Sequence, residues 1–152
     1  MNIFNQDFQD FIQSLNKHGV EYILVGGYAV ILRGYSRSTG DMDIWINKTD
    51  LNFNKLVPAL AEFGLPIEAV PKEKFFSEQY DVFSIGLPPR AIELMTVVKG
   101  VDFSDAFQSS TVEQIENIQI RVIHLKNLIQ AKKAAGRYKD LNDIENLPSI
   151  EE

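Results

Sequence analysis

Apolar positions in the first third of the chain repeat with two different periods. Phe8, Phe11, Ile12 and Leu15 recur at helical spacing, which predicts an amphipathic helix. A short apolar run rich in β-branched residues follows at 21–25 and predicts a buried strand. The elements predicted here, in order, are a helix over 5–18, a strand over 21–25, a short helix over 28–32, a polar loop over 35–40 and a strand over 41–46.

The rest of the chain carries shorter patterns that are separated by glycine and proline. The predicted elements, in order, are a helix from Thr49 or Asp50 to Gly64, strands over 80–85 and 91–98, a helical turn over 102–108, a strand over 118–123, and helices over 125–135 and 138–147. Residues 86–89 predict a hairpin turn, and residues 64–78 predict no element.

The order of these elements predicts an α/β (α+β) fold, in which helices flank a mixed β-sheet. We expect a single domain over residues 1–152, because the chain has the length of one domain and contains no linker-like segment. Its core is expected at about 5–98 and its C-terminal helices at about 124–148.

The composition limits the chemistry that the chain can carry. It has 152 residues, no cysteine and two histidines, which excludes disulfides, thiolate catalysis and cysteine-based zinc or iron–sulfur sites. The net charge of −6 argues against a general polyanion binder, so nucleotide binding would need a local basic patch or a metal ion. We find no targeting segment and no apolar run near the length of a membrane span, and therefore expect a cytoplasmic protein.

Two aspartates alternate with apolar residues in the predicted strand at 41–46. Asp41 and Asp43 are two residues apart, so their side chains share one face of the strand, about 6.6 Å apart. Neighbouring carboxylates repel each other and are costly to dehydrate, and a divalent cation between them removes both penalties. Hard oxygen ligands favour Mg²⁺ or Mn²⁺. The alternative interpretation is a strand face that is simply polar and exposed.

Two further features accompany this pair. Gly26 and Gly27 follow a predicted strand and precede a helix, where backbone N–H groups can approach a phosphate closely. Glycine is also common at such turns for steric reasons alone. Glu93 stands in the apolar run 91–95, which is unusual unless its carboxylate faces water, a cation or a metal ion. If its strand pairs beside the aspartate strand, the three carboxylates converge.

Taken together, these motifs resemble the nucleotidyltransferases of the DNA polymerase beta superfamily. The family pattern is a Gly-Gly or Gly-Ser turn, then two aspartates alternating with apolar residues, then a third carboxylate. The matching segments are Leu24-Val25-Gly26-Gly27, Gly40-Asp41-Met42-Asp43-Ile44 and Ile92-Glu93-Leu94. Residues 26–46 and 132–140 are similar to small bacterial nucleotidyltransferases related to abortive-infection toxins. The third carboxylate is commonly aspartate in this family, whereas this chain has Glu93.

The resemblance implies transfer of a nucleoside monophosphate from a nucleoside triphosphate to an acceptor hydroxyl, with release of pyrophosphate. By the resemblance, Asp41, Asp43 and Glu93 are catalytic and hold Mg²⁺ or Mn²⁺ in a two-metal arrangement. Gly26 and Gly27 would lie near the phosphates. The residues expected to meet the remaining phosphate charge are Arg37, Thr39, Lys132 and Arg137. The alternative for these four is a turn or a solvent-exposed face.

The sequence leaves the acceptor and the activity open. An RNA end, a partner protein and a small molecule such as an aminoglycoside or lincosamide antibiotic all fit this fold, and the net charge of −6 counts against a large RNA. The toxin-like resemblance implies an antitoxin-like partner protein. A second interpretation is a non-catalytic nucleotide-binding or regulatory member of the same fold, because Glu93 departs from the family pattern.

Overall fold

The computed structural model of the chain describes residues 3–87 and 90–149, and its elements follow the predicted order closely. The helices are α1 Gln6–Lys17, α2 Gly26–Leu32, α3 Asp50–Phe63, α4 Lys72–Phe76, α5 Phe103–Ser109, α6 Leu125–Ala135 and α7 Tyr138–Asn146. The strands are β1 Tyr22–Val25, β2 Met42–Ile46, β3 Val82–Ile85, β4 Ile92–Met95, β5 Thr111–Ile115 and β6 Ile118–Val122. A short 3-10 helix, Ile67–Ala69, precedes α4.

A six-stranded mixed sheet forms the centre of the fold, with the strand order β3-β4-β2-β1-β6-β5. β2 runs parallel to β4, and β1 runs parallel to β6. The other neighbours, β1 with β2, β3 with β4 and β5 with β6, are antiparallel. This is the α/β architecture that the order of elements predicts. Strand β2 therefore has a strand on each side, which fixes its position in the sheet.

The alternation along β2 separates a fully apolar face from a mixed one. Met42, Ile44 and Ile46 are completely buried on one face, as the spacing predicts. On the other face, the Trp45 ring packs edge-on against Phe103 of α5, with ring centroids 5.1 Å apart. Asp43 lies on the same face as Trp45. Because β2 is buried on both faces, it is a rigid support for the Asp43 side chain.

The helix boundaries follow the capping signals of the sequence. The side chain of Asn5 accepts a hydrogen bond from the Phe8 N–H and so caps α1. Gly64 and Gly136 end α3 and α6 in the left-handed conformation, at φ values of 107° and 65°. No helix in the described part of the chain is long and apolar enough to cross a membrane.

The structure corrects the bounds of the predicted strands, and α2 begins at Gly26 rather than at residue 28, so that Gly26 and Gly27 lie in its first turn. β2 begins at Met42, so Asp41 lies just before the strand rather than within it. The strands expected over 80–85 and 91–98 are the shorter β3 and β4. They pair antiparallel as predicted, and Pro88 and Pro89 of the predicted turn lie outside the described residues.

Two regions contain elements that the sequence patterns do not predict. β5 is an edge strand with no fully buried residue, so it lacks the apolar alternation that marks a strand. The region 64–78 contains the 3-10 helix and α4, and Phe75 of α4 packs against Phe53 of α3 with ring centroids 5.0 Å apart. Such a short helix depends on this tertiary contact rather than on its own periodicity.

Candidate active site

Strands β2 and β4 place two of the predicted carboxylates side by side. Asp43 and Glu93 are register partners in this parallel pair, so their side chains project from the same face of the sheet. Asp41 precedes β2, and its Oδ1 accepts a hydrogen bond from the Ala91 N–H at 2.8 Å. That bond ties the loop before β2 to the start of β4. The structure therefore brings the three carboxylates together at the N-terminal ends of β2 and β4.

The carboxylate of Asp43 is electrostatically unfavourable in its ionised form. Burial, followed by the charges of Glu93 and Asp41, raises the pKa of Asp43 to about 6. Lys139 and Lys132 act in the opposite direction but do not cancel this rise. A positive charge bound next to Asp43 would stabilise its ionised form, because the cation offsets both the lost hydration and the repulsion.

The carboxylate of Glu93 is hydrogen-bonded to the neighbouring strand β3. Its Oε2 accepts a hydrogen bond from the Ser84 hydroxyl at 2.6 Å, and Ser84 is its register partner on β3. This contact holds the longer glutamate side chain on the face that it shares with Asp43.

Gly26 and Gly27 lie directly against the residues of this site. A Cβ atom on Gly26 would lie 2.0 Å from the Oδ2 of Asp43, and the φ of Gly26 is +69°. A Cβ atom on Gly27 would lie 2.2 Å from the Thr39 hydroxyl oxygen. Close packing of Asp43 and Thr39 thus requires glycine at both positions. This is the steric explanation for the two glycines that the sequence analysis names beside phosphate binding.

The residues singled out in the sequence line one cavity of about 630 Å³, which we call the acidic pocket. Its predicted members are Gly26, Gly27, Arg37, Thr39, Asp41, Asp43, Glu93, Lys132 and Arg137. The structure adds Gly40, Val82, Met95 and Lys139. Lys139 stands in the basic segment 132–139, and that local density of charge was the signal for it. The catalytic, metal and phosphate roles of these residues stay predictions.

Three cations on one side of the acidic pocket belong to a network of paired charges. We call this network the ionic wall: Arg37, Lys132, Arg137, Asp140 and Asp143. Arg37 donates two hydrogen bonds to Asp143, at 2.8 and 3.0 Å. Lys132 lies 3.0 Å from Asp143 and 3.3 Å from Asp140. Arg137 donates to Asp140 at 2.7 and 3.2 Å. Both aspartates are buried, so this network also holds α6, α7 and the loop before β2 together.

The ionic wall changes the interpretation of its cations. Lys132 is buried rather than on a solvated helix face, and Arg37 is held by Asp143 rather than extended into solvent. Burial raises the pKa of Asp143, but the hydrogen bonds from Arg37 and Lys132 outweigh it and leave the pKa below its ordinary value. The sequence patterns do not single out Asp143, because its partner Arg37 is 106 positions away.

The donor atoms of the acidic pocket suit a hard divalent cation. Three carboxylates supply only oxygen, which Mg²⁺ and Mn²⁺ prefer, and the raised pKa of Asp43 marks an uncompensated negative charge. Within residues 3–87 and 90–149, no three acidic or histidine side chains are already gathered closely enough to ligate one ion. The residues present therefore fit such an ion by chemistry and position, and binding it with all three needs side-chain rotation.

Comparison with known families decides what this arrangement is related to. Residues 4–151 match the family model described as "Nucleotidyltransferase of unknown function (DUF6036)". The chain belongs to this nucleotidyltransferase family. A search of curated proteins finds no match.

Solved structures show the same fold at low sequence identity. A candidate nucleotidyltransferase from Thermotoga maritima is 17% identical, with a TM-score of 0.62 over 91% of this chain and 88% of that one. The lincosamide antibiotic adenylyltransferase LnuA, solved with lincomycin bound, is 15% identical, with a TM-score of 0.57 over 99% of this chain and 100% of that one. An antigenic nucleotidyltransferase-like protein from Paracoccidioides brasiliensis is 16% identical, with a TM-score of 0.53 over 91% and 71%.

Proposed function

We propose that the protein is a metal-dependent nucleotidyltransferase, which moves a nucleoside monophosphate from a nucleoside triphosphate to an acceptor hydroxyl. The observation that carries this proposal is the register pairing of Asp43 with Glu93, beside Asp41 and against the Gly26-Gly27 backbone. Membership of a nucleotidyltransferase family supports it. A merely structural role would not explain why three repelling carboxylates line a cavity together.

The residues divide the chemistry between them. Asp41 and Asp43 bind the divalent ion, and the Gly26-Gly27 backbone allows close approach of the phosphates. When bound, Mg²⁺ or Mn²⁺ supplies the positive charge that the triphosphate needs in an acidic protein. Lys139 lines the same pocket without an ion pair among the described residues, so it can face phosphate oxygens. Among the described residues that line the pocket, it is the cation that does not belong to the ionic wall.

The transfer balances without any further reactant. The acceptor oxygen forms a bond to the α-phosphorus, the bond from that phosphorus to the bridging oxygen breaks, and pyrophosphate leaves. Glu93 lines the pocket and accepts the proton of the acceptor hydroxyl.

A second candidate function is nucleotide binding without turnover. The observation that favours it is the bond between Glu93 and Ser84, which competes with any role of Glu93 toward an ion. In that case nucleotide would bind without dependence on Mg²⁺, and no pyrophosphate would form.

The two candidates separate in an assay with α-labelled nucleoside triphosphates and Mg²⁺, offering a short RNA and a set of neutral glycosides as acceptors. We expect labelled product from the natural chain and a loss of at least about 100-fold in Asp43→Asn. Asp50→Asn is the matched control, because Asp50 is an exposed aspartate outside the acidic pocket. Equal turnover by Asp43→Asn and the natural chain would reject the site.

A further inference from the structure

A second cavity of about 940 Å³ adjoins the acidic pocket, and we call it the amide cavity. Thr39 and Gly40 line both cavities, so they form the partition between them. Arg37 holds this partition in place, because it bonds Asp143 through its guanidinium and also donates to the Ser38 carbonyl. A molecule bound in the amide cavity would therefore lie one loop away from the carboxylates.

Neutral groups that both donate and accept hydrogen bonds dominate the lining of the amide cavity. Three side-chain amides come from Asn5, Gln6 and Gln9, and hydroxyls come from Tyr28 and Ser38. Each amide uses one atom in the fold: Asn5 caps α1, Gln6 donates to Asp10, and Gln9 donates to the Phe4 carbonyl. Their other amide atoms have no partner among the described residues, which leaves them available to a ligand.

Two aromatic residues, Phe4 and Tyr28, also line the cavity, and both are buried. The Tyr28 ring lies between Phe4 and Phe8, with ring centroids 5.2 and 5.7 Å away. The accessible part of the lining is therefore polar, and its amides and hydroxyls match the hydroxyl groups of a sugar.

The charge of the lining separates classes of ligand. Arg90 is the charged residue among those that line the amide cavity in the described chain. A nucleic acid would need several cations along its phosphates, so one arginine does not favour an RNA end. The cavity volume falls in the range of small-molecule sites.

Asp41 connects the two cavities. Its Oδ1 accepts a hydrogen bond from the Ala91 N–H, next to Arg90, which lines the amide cavity, and Asp41 itself lines the acidic pocket. A hydroxyl of a ligand in the amide cavity would therefore approach the acidic pocket at Asp41.

We propose that the amide cavity binds the acceptor, and that the acceptor is an uncharged, hydroxyl-rich small molecule of the sugar or glycoside class. This assignment rests on the proposed function, since it places the attacking hydroxyl next to the bound triphosphate. It selects the small molecule from the acceptors that the sequence leaves open.

The test is saturation-transfer NMR on the full chain with methyl glucoside, methyl galactoside and maltose, beside a short RNA oligonucleotide. We expect at least one neutral glycoside to bind, and Ser38→Trp to weaken that binding about tenfold or more by filling the cavity. Ser36→Trp is the matched control, because Ser36 is an exposed serine in the same loop that does not line the cavity. Gln6→Ala beside Gln13→Ala, two exposed positions of α1, is a second pair that does not enlarge a side chain.

Binding of a nonhydrolysable triphosphate with Mn²⁺, measured by calorimetry on the natural chain, keeps the two proposals apart. Triphosphate binding without glycoside binding, or glycoside binding that Ser38→Trp and Gln6→Ala leave unchanged, overturns the inference alone. Binding of the RNA but not the glycosides also overturns it. Glycoside binding without any triphosphate binding or turnover overturns the proposed function, and with it the acceptor role of the cavity.

Discussion

The carboxylates of the acidic pocket and those of the ionic wall have opposite electrostatic surroundings. On the side formed by β2 and β4, carboxylates adjoin carboxylates, and the pKa of Asp43 rises to about 6 through burial and the charges of Glu93 and Asp41. On the ionic wall, each aspartate bonds two cations, and the pKa values of Asp140 and Asp143 fall below their ordinary range. Aspartate therefore has opposite pKa shifts on the carboxylate side and in the ionic wall.

Among the residues that the structure describes, the carboxylate side has negative charges without paired cations, whereas the charges of the ionic wall are paired with one another. Because the charges of the ionic wall pair with one another, its main role is to hold α6, α7 and the loop before β2 in position. The charges of the carboxylate side lower the free energy of unfolding at neutral pH, and a bound cation or protonation of Asp43 offsets this loss. Substitutions on the ionic wall should therefore lower stability, and substitutions on the carboxylate side should lower activity while raising stability.

The largest expected effect on stability comes from the centre of the ionic wall. Lys132→Met removes the buried cation that Asp140 and Asp143 share, and leaves both carboxylates with one partner fewer. We expect a loss of about 3 kcal/mol in the free energy of unfolding, measured by urea denaturation followed by circular dichroism. Lys133→Met is the matched control, since Lys133 is exposed. Equal stability of the two variants would contradict the role of the ionic wall.

The next effect has the opposite sign. The folded chain holds the proton of Asp43 more tightly than an unfolded chain, whose aspartates titrate near 3.8, so the folded state loses stability as the pH rises from about 4 through 6. Asparagine carries no charge and avoids this loss. Without divalent ions, we expect Asp43→Asn to be more stable than the natural chain by about 2 kcal/mol at pH 7.5.

The pH dependence is the control for that prediction. At pH 4 the advantage of Asp43→Asn should nearly vanish, because Asp43 is then protonated in the folded state. Thermal unfolding at both pH values measures it, with Asp50→Asn as an exposed comparison. A constant difference between pH 4 and 7.5 would show that charge is not its cause.

The two sides of the pocket also differ in how far sequence could predict them. The carboxylate side is local, because Asp41 and Asp43 share one strand region and Glu93 stands out in an apolar run. Its one long-range step is the pairing of β2 with β4, which the sequence leaves as a condition and which the structure shows. The ionic wall joins Arg37 to a residue 106 positions away, which no spacing rule anticipates.

The same contrast holds for the fold. The buried helices and strands were predicted because burial imposes a period on the sequence. β5 and α4 were not, because an exposed edge strand and a single helical turn carry no such period. The amide cavity was not predicted either, since the amides of α1 and the loop before β2 become neighbours only through packing of Phe4 and Phe8 on Tyr28.

Divalent ions test the carboxylate side directly. Deprotonated carboxylates bind the ion, so we expect Mg²⁺ or Mn²⁺ to stabilise the natural chain above pH 6 and much less below it. At an ion concentration of about ten times the dissociation constant, the gain is about 1.4 kcal/mol. Thermal unfolding with and without the ion measures this gain, which Asp43→Asn should abolish. A gain of equal size in Asp43→Asn would place the ion elsewhere.

The smallest effect lies at the exposed end of the ionic wall and sharpens the comparison within it. Arg137 bonds the same aspartate as Lys132, but its side chain is 63% exposed whereas that of Lys132 is 9% exposed. Water and salt screen the Arg137 pair, and the backbone N–H of residue 137 still donates to Asp140 after truncation. Arg137→Ala should therefore cost less than about 1 kcal/mol in urea denaturation, a fraction of the Lys132→Met loss. If the two losses were equal, burial would not be what distinguishes the two cations, and the ionic wall would act as one exposed network.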